Sequence, residues 1–263
     1  MTEPVALFNI GTAGCGKSSL TGAMGQWMKE NSYSSALVNL DPGADTLPFE
    51  PDIDVRDWIT IADVMDEYGL GPNGAQVIAA DMLALHLNKV TSLIDPERTQ
   101  YVIMDTPGQL ELFSFRESSR EFVRRLYPDR SYLVYIVDPF NAKTPSGFIS
   151  QLMLSNLSRL RFQLPTVEVM SKSDMVDPET KEKIERWLDY PDSLLEDCMQ
   201  EANLSPGINK EFNIELFKSI ENLSLFGNMY WTSTMDLEGM EKIYQTVQLT
   251  YGAGEDLQRM QDE

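Results

Sequence analysis

The chain has 263 residues, enough for one large α/β domain or two small ones, and at 42% hydrophobic it can bury a sizeable core. Its 21 basic and 41 acidic residues leave a net charge of −20, which argues against a general surface for nucleic acid or anionic membrane. No apolar run approaches a membrane span, the first strand starts too early for a signal peptide, and Cys15 and Cys198 form no disulfide framework, so a reducing cytoplasm is expected.

Val5 to Ile10 is a short apolar run that reads as a buried strand. It leads into Gly11-Thr12-Ala13-Gly14-Cys15-Gly16-Lys17-Ser18, which has P-loop spacing. Glycines let the backbone curl so that successive N–H groups face phosphate oxygens. Lys17 brings a point charge to the outer phosphates, and Ser18 offers a hydroxyl to a Mg²⁺ held between them. Ser18 to Lys29, with Ser19 in its first turn, reads as a helix whose N-terminus faces the anion. Because the chain is so acidic, phosphate binding must come from these local features.

Ser35 to Leu40 reads as a second strand, ending in Asp41-Pro42-Gly43. An acidic residue beyond a strand's carboxyl end sits where ligands bind in an open α/β sheet. Asp41 is therefore a candidate to act on Mg²⁺ through water or to orient a nucleophile; the plainer reading is an Asx-turn. Residues 46–58 read as loop. Thr60 looks like the N-cap of a short helix that runs to Tyr68. Gly71-Pro72-Asn73-Gly74 then reads as a helix-stop and tight turn, with Asn73-Gly74 favouring positive φ. A second helix is expected from Ala75 to Ile94, with Val77, Ile78, Met82, Leu85 and Val90 as its apolar stripe. His86, the sole histidine, lies in that stripe and offers no zinc-site pattern.

Tyr101 to Met104 is a third strand that runs into Asp105-Thr106-Pro107-Gly108-Gln109. Hydrophobics followed by Asp are what a Walker-B strand requires, with Asp105 in the Mg²⁺ shell. Gly108 brings flexible backbone near the γ-phosphate, and Gln109 or Glu111 can orient water. Arg116, Arg120 and Arg124 fall on one helical face and read as pairing with Glu117 and Glu121 in solvent. Tyr132 to Val137 is a fourth strand, ending at Asp138. Thr166 to Met170 is a fifth, closed by Ser171-Lys172-Ser173-Asp174. A carboxylate at 174 can accept from guanine N1–H and N2–H₂ together, while adenine lacks that donor pair. Residues 178–225 are acidic and helical in pattern, as in an insertion or lid. Met229 to Trp231 is a last strand, and the amides of Ser233 and Thr234 beyond it are candidates to meet guanine O6. A final helix covers Glu238 to Thr250, and residues 252–263 read as a frayed polar tail. One domain is expected over residues 1–263, since no linker-like stretch divides them.

Together these boxes resemble the GPN-loop GTPases, over nearly the whole span from Gly11 to Ser233. The most specific piece is Gly71-Pro72-Asn73, lying between Asp41 and the Asp105 box. The resemblance implies a P-loop NTPase fold, with a mainly parallel sheet flanked by helices. It implies a Mg²⁺-dependent, GTP-hydrolysing homodimer in which Asn73 reaches the partner's nucleotide. It also implies an assembly factor, linked in eukaryotic relatives to RNA polymerase II, with no direct nucleic-acid or membrane partner. The short chain looks like an archaeal or other single-copy form. Two positions depart from the usual patterns: Ser171 stands where GTPases most often have Asn, and Thr12 where many of the wider dimerising class have a lysine. The competing readings are a kinase for a small molecule or polynucleotide end, and a nucleotide-dependent scaffold without significant turnover.

Overall fold

The apolar run at the start of the chain forms β1 (Val5–Gly11), buried along its whole length. Such a run, without polar alternation, is what a parallel strand covered on both faces requires. In the computed structural model, which describes residues 3–204, 210–222 and 226–251, β1 is the centre of a seven-stranded sheet. The P-loop leads into α1 (Lys17–Glu30), followed by β2 (Ser35–Asn39) and a two-residue strand β3 (Ile53–Asp54). Next come α2 (Ile61–Tyr68), α3 (Pro72–Met82) and α4 (Leu87–Leu93). The middle of the chain supplies β4 (Tyr101–Asp105), α5 (Leu110–Ser114), α6 (Glu117–Leu126) and β5 (Ser131–Val137). After α7 (Pro139–Ala142), α8 (Pro145–Phe162) and β6 (Thr166–Met170) come α9 (Pro178–Asp189), α10 (Pro191–Leu204) and α11 (Lys210–Asn222). The last described elements are β7 (Met229–Trp231) and α12 (Met240–Tyr251). The 252–263 tail lies outside the described residues.

The strand order is β3-β2-β4-β1-β5-β6-β7, and every neighbouring pair is parallel. From β1 the chain passes to β2 and β3, returns with β4 to fill the place beside β1, then reverses to the other side and builds outward through β5, β6 and β7. Asn9 and Asn39 both register with Asp105, Gly11 with Ile136, and Met170 with both Val137 and Trp231. The carboxyl ends of the strands, and the loops after them, therefore share one edge at the reversal, where an open α/β sheet forms its ligand crevice.

Alternate residues of β1 feed two cores, as the period of a strand dictates. Ala6, Phe8 and Ile10 join the core under α5, α6 and α8, while Val5 and Leu7 join Leu20, Met24 and Met28 of α1 and Ile243, Tyr244 and Val247 of α12. A third, small cluster of Ile59, Val64, Ala75 and Ala79 holds α2 against α3.

Three sequence expectations change here. Residues 46–58 are not all loop: Ile53 and Asp54 pair with Val38 and Asn39, and a 3₁₀ turn covers Val55–Asp57. Asn73-Gly74 is not a positive-φ turn. The left-handed residue is Gly69, the C-cap of α2, and Gly71 is already the N-cap of α3 with Pro72 as its first residue. Proline fits there because the first helical N–H has no partner to lose. The helix expected from Ala75 to Ile94 is broken by a 3₁₀ turn at Leu83–His86, which leaves Leu85 77% exposed instead of in the apolar stripe. His86 stacks on Trp58, with its Nδ1 3.0 Å from the Met82 carbonyl oxygen.

The helices of the 178–222 stretch share the main core. Ile184, Trp187, Leu194, Phe217 and Ile220 are buried in the same cluster as Phe8, and Trp187 tilts against Phe148 of α8 with ring centroids 5.4 Å apart. Trp187→Ala is therefore expected to lower global stability by about 3–5 kcal/mol, the usual cost of emptying a large buried site. Urea unfolding followed by far-ultraviolet circular dichroism reads this. An unchanged midpoint would mean that these helices are carried loosely.

Candidate nucleotide site

The P-loop geometry follows from where its glycines stand. A Cβ on Gly11 would lie 2.5 Å from the Ile136 carbonyl oxygen and 2.6 Å from the Cys15 sulfur, so no side chain fits. Gly16, at φ 103°, turns the chain into α1 as its N-cap. The start of α1 then points its unpaired N–H groups into the loop. Cys15 is fully buried, and that burial pushes its thiol pKa up, so it serves as a small filler and not as a nucleophile.

Lys17 is buried, and its three ammonium hydrogens have three acceptors: the carbonyl oxygens of Gly11 at 3.0 Å, Thr12 at 3.0 Å and Gly108 at 2.8 Å. Asp41 faces Gly108 from the other side. Its Oδ2 accepts from the Gly108 N–H at 2.9 Å, while Oδ1 accepts from the Gly43 N–H at 2.8 Å. Asp41 thus closes an Asx-turn and also, through the Gly108 peptide, joins the P-loop lysine. The Ser18 hydroxyl stands beside the Asp105 carboxylate and favours its charged form. Asp105 is pushed up to about 7, first by burial and then by the nearby charge of Asp41, against the pull of Ser18 and Lys17. Burial also raises Asp41, against the N–H groups of Gly43 and Gly108. Asp105 Oδ1 is buried and has no hydrogen-bond partner among the described residues. A hydroxyl and an orphaned carboxylate oxygen, with a second carboxylate nearby, suit a hard divalent cation that takes its other ligands from phosphates and water.

Gln109 is the N-cap residue of α5 and Glu111 lies in its first turn; both are exposed. Gln109 borders a cavity of about 220 Å³ that also touches Ala13, Asp41, Gly43, Gln76 and Gly108. Its Nε2 donates to Gln76 Oε1 at 3.4 Å. Asn73, the second residue of α3, is also exposed.

At the base end, Lys172 takes a left-handed conformation, φ 57°. Its ammonium bridges Gly14 O at 2.8 Å and Asp138 Oδ2 at 2.9 Å, so its stem lies along the P-loop. Ser171, in place of the usual Asn, donates from its hydroxyl to Cys15 O at 2.7 Å, with Val137 O at 3.1 Å. Asp174 is exposed beside this loop. The Ser173 N–H donates to Thr232 O at 3.1 Å and its hydroxyl to Glu238, which ties the loop after β6 to the loop after β7. Ser233 is buried and its amide is already bonded to Glu238 O at 3.2 Å, whereas Thr234 is exposed. Of the two amides expected at the base, Ser233's is thus taken.

Sequence reasoning missed several supports. Asn9 Nδ2 donates to Thr21 Oγ1 at 2.7 Å, and Thr106 Oγ1 donates to Asn9 O at 2.6 Å, locking β1 to α1 and to the loop after β4. Arg116 does not pair along its own helix. It is the N-cap residue of α6, and its guanidinium makes a two-pronged ion pair with Asp81 of α3, which also accepts from Ser118 Oγ at 2.6 Å. Arg120 pairs with Glu117 at 3.5 Å as expected, while Arg124 reaches Gln163 Oε1 at 3.2 Å.

A glycine-rich loop between β1 and α1, a buried lysine, a serine–aspartate pair and a separate base loop at a sheet reversal define a P-loop nucleotide-binding protein. Residues 9–253 match the family model described as a conserved hypothetical ATP-binding protein. Over 190 residues the chain is 39% identical to the GPN-loop GTPase PAB0955 of Pyrococcus abyssi, covering 70% of this chain and 74% of that one. It is 31% identical over 247 residues to the GPN-loop GTPase QQT1 of Arabidopsis thaliana, covering 91% and 81%. The crystal structure of PAB0955, a GTPase in apo form, superposes with a TM-score of 0.82 at 31% identity, over 94% of this chain and 97% of that one. This chain belongs to the GPN-loop GTPase family. Among its described residues no helix is long and apolar enough to cross a membrane.

Arg116 holds the Asp81 carboxyl below the usual carboxylate range. A depressed folded pKa gives stability that is present above the unfolded value of about 3.9 and lost as pH falls through the folded one. With both side chains partly exposed, the pair is worth about 0.5–1 kcal/mol at neutral pH. Arg116→Ala should therefore be less stable than wild type at pH 7, with the gap closing on acidification below about pH 4. Thermal melts across that range test this, and a gap independent of pH would contradict it.

Proposed function

We propose that this GTPase holds GTP with Mg²⁺ at the edge formed by the carboxyl ends of the strands, hydrolyses it to GDP and phosphate, and works as a homodimer. The observation that carries the reading is the convergence of Lys17, Ser18, Asp41, Asp105 and the Gly108 peptide on one end of the sheet, with Asp105 Oδ1 left unpartnered. Ser18 would bind Mg²⁺ directly, and Asp105 would hold it from behind, with Asp41 in reach through water. The cation supplies charge neutralisation between the β- and γ-phosphates.

The protein's own part is positioning. The amides from Thr12 to Ser19 and the Lys17 ammonium cradle the phosphates. Lys17 is already buried, so in meeting the phosphates it exchanges a carbonyl acceptor for a phosphate oxygen without being newly desolvated. Gly108, its N–H held by Asp41 and its carbonyl by Lys17, sets the backbone after β4 beside the γ-phosphate. Gln109 and Glu111, with Asp41, orient the attacking water. Lys172 packs along the base, Asp174 pairs with the guanine edge, and Thr234 offers an amide to O6. Asn73, exposed at the start of a rigid helix, reaches the partner's nucleotide. Family resemblance supports a role as an assembly factor for a protein complex, RNA polymerase by that resemblance, and a cytoplasmic setting.

Base choice is tested through Asp174. Wild type should bind GTP more tightly than ATP, and Asp174→Asn should favour xanthosine triphosphate, because the amide donates where the carboxylate accepted. Competition binding against a fluorescent nucleotide reads both; equal wild-type affinity for ATP and GTP removes the guanine assignment.

Action across a dimer is tested by mixing. Lys17→Ala should lose tight nucleotide binding, and Asn73→Ala should bind GTP but hydrolyse it slowly. A mixture of the two should recover part of the activity, since some heterodimers pair an intact P-loop with a partner's intact Asn73. Phosphate release with no acceptor present is the readout, with subunit exchange verified separately. A mixture no more active than its components would put Asn73 in its own subunit's chemistry or outside the chemistry.

A further inference from the structure

The helix that begins with the Gly-Pro-Asn segment touches the stretch between the end of β4 and the start of α6 at two places. Near its start, Gln76 Oε1 accepts from Gln109 Nε2 at 3.4 Å, and Gln76 and Gln109 border the same cavity as Asp41 and Gly108. Near its end, Asp81 is held by the Arg116 guanidinium and the Ser118 hydroxyl, just before and within α6. Of its buried alanines, Ala80 borders that cavity, while Ala75 and Ala79 pack with Ile59 and Val64 in the small separate cluster beside α2.

This arrangement has a mechanical consequence. α3 is one rigid rod of 11 residues. Its far end is fixed by the charged pair, and its near end carries Asn73 in solvent. Gln76 stands three residues from Asn73, on the neighbouring position of the same face. Any tilt of the rod that follows what Asn73 meets must move Gln76, and Gln76 holds the amide of Gln109.

We propose that Gln76 is a positioning residue for GTP hydrolysis, holding the Gln109 side chain at the cavity edge and passing to it the position of the Gly71-Pro72-Asn73 segment. It touches no reacting atom. Its carbonyl fixes which way the Gln109 amide points, and so which face of Gln109 is offered to water. The inference rests on the reading of Gln109 as a residue that orients the attacking water, and its test separates the two.

Four proteins are compared under single-turnover conditions at saturating GTP: wild type, Gln76→Leu, Gln109→Ala and the double variant. GTP and GDP affinities are measured on each. Gln76 is only partly buried, so Leu fits without repacking, and retained GDP affinity reports an intact site. Gln76→Leu should slow hydrolysis by roughly three- to tenfold, the scale of one neutral hydrogen bond, with GTP affinity within about twofold of wild type. Gln109→Ala should slow it further, and the double variant should match Gln109→Ala alone, because Gln76 acts only through that side chain. If Gln76→Leu turns over at the wild-type rate while Gln109→Ala is slow, this inference fails and the role of Gln109 stands. It fails in the same way if the Gln76→Leu loss persists in full on the Gln109→Ala background, or if its rate and affinity fall together. If Gln109→Ala itself is as fast as wild type, both the role of Gln109 and this inference fail.

Discussion

One peptide group holds the P-loop end of this protein together. The Gly108 carbonyl accepts from Lys17 of the P-loop, and the Gly108 N–H donates to Asp41 beyond β2. Three loops from three strands, β1, β2 and β4, thus meet on a single backbone unit with no side chain of its own. Each bond joins a charged group to a backbone dipole, the kind of hydrogen bond worth about twice a neutral one. Asp41 and Lys17 are both desolvated to make these bonds, and Asp41 shows the cost in its raised pKa. A nucleotide and its cation would relieve that cost, since they bring the charges these groups lack. The site is therefore pre-assembled, which is a general way to bind a highly charged ligand without large rearrangement.

The parallel sheet is what brings those loops together. β1, β2 and β4 lie side by side, so residues far apart in sequence register at one level: Asn9, Asn39 and Asp105 stand in a row. All three are buried polar groups inside an apolar sheet. Asn9 bonds Thr21, Asn39 bonds Asp54 and the Asp41 backbone, and Asp105 is met by Ser18. The row tolerates polarity because each member has a partner, with one carboxylate oxygen kept free.

Most of the cluster around the P-loop was legible because its signals are local. A P-loop is eight adjacent residues between an apolar strand and a helix, and the Asp105 box is another contiguous run. Strand positions were legible for the same reason, since buried parallel strands are unbroken apolar runs. What failed was local chemistry with two outcomes. Gly-Pro-Asn-Gly suits a tight turn, but proline suits the first residue of a helix equally, and the alanine face packed on α2 decided for the helix. β3 was missed because two residues carry no periodicity; its place is set by pairing with β2 and by Arg56 bracing Asp54. Arg116 was expected to pair within its helix, but its partner Asp81 lies 35 residues away, a distance no spacing rule spans. The Gln76–Gln109 contact is of the same kind.

Ser171 and Lys172 lend the base end a property of their own. Both donate hydrogen bonds to the P-loop backbone, at Cys15 O and Gly14 O. The segment proposed to meet the nucleobase is therefore also a brace for the P-loop. A shift in one alters the hydrogen bonds that shape the other. Nucleoside and triphosphate then cease to be separable recognition problems: each half-ligand, binding alone, would alter the seat of the other, and the affinity of the intact nucleotide would not be the sum of what its two parts bring.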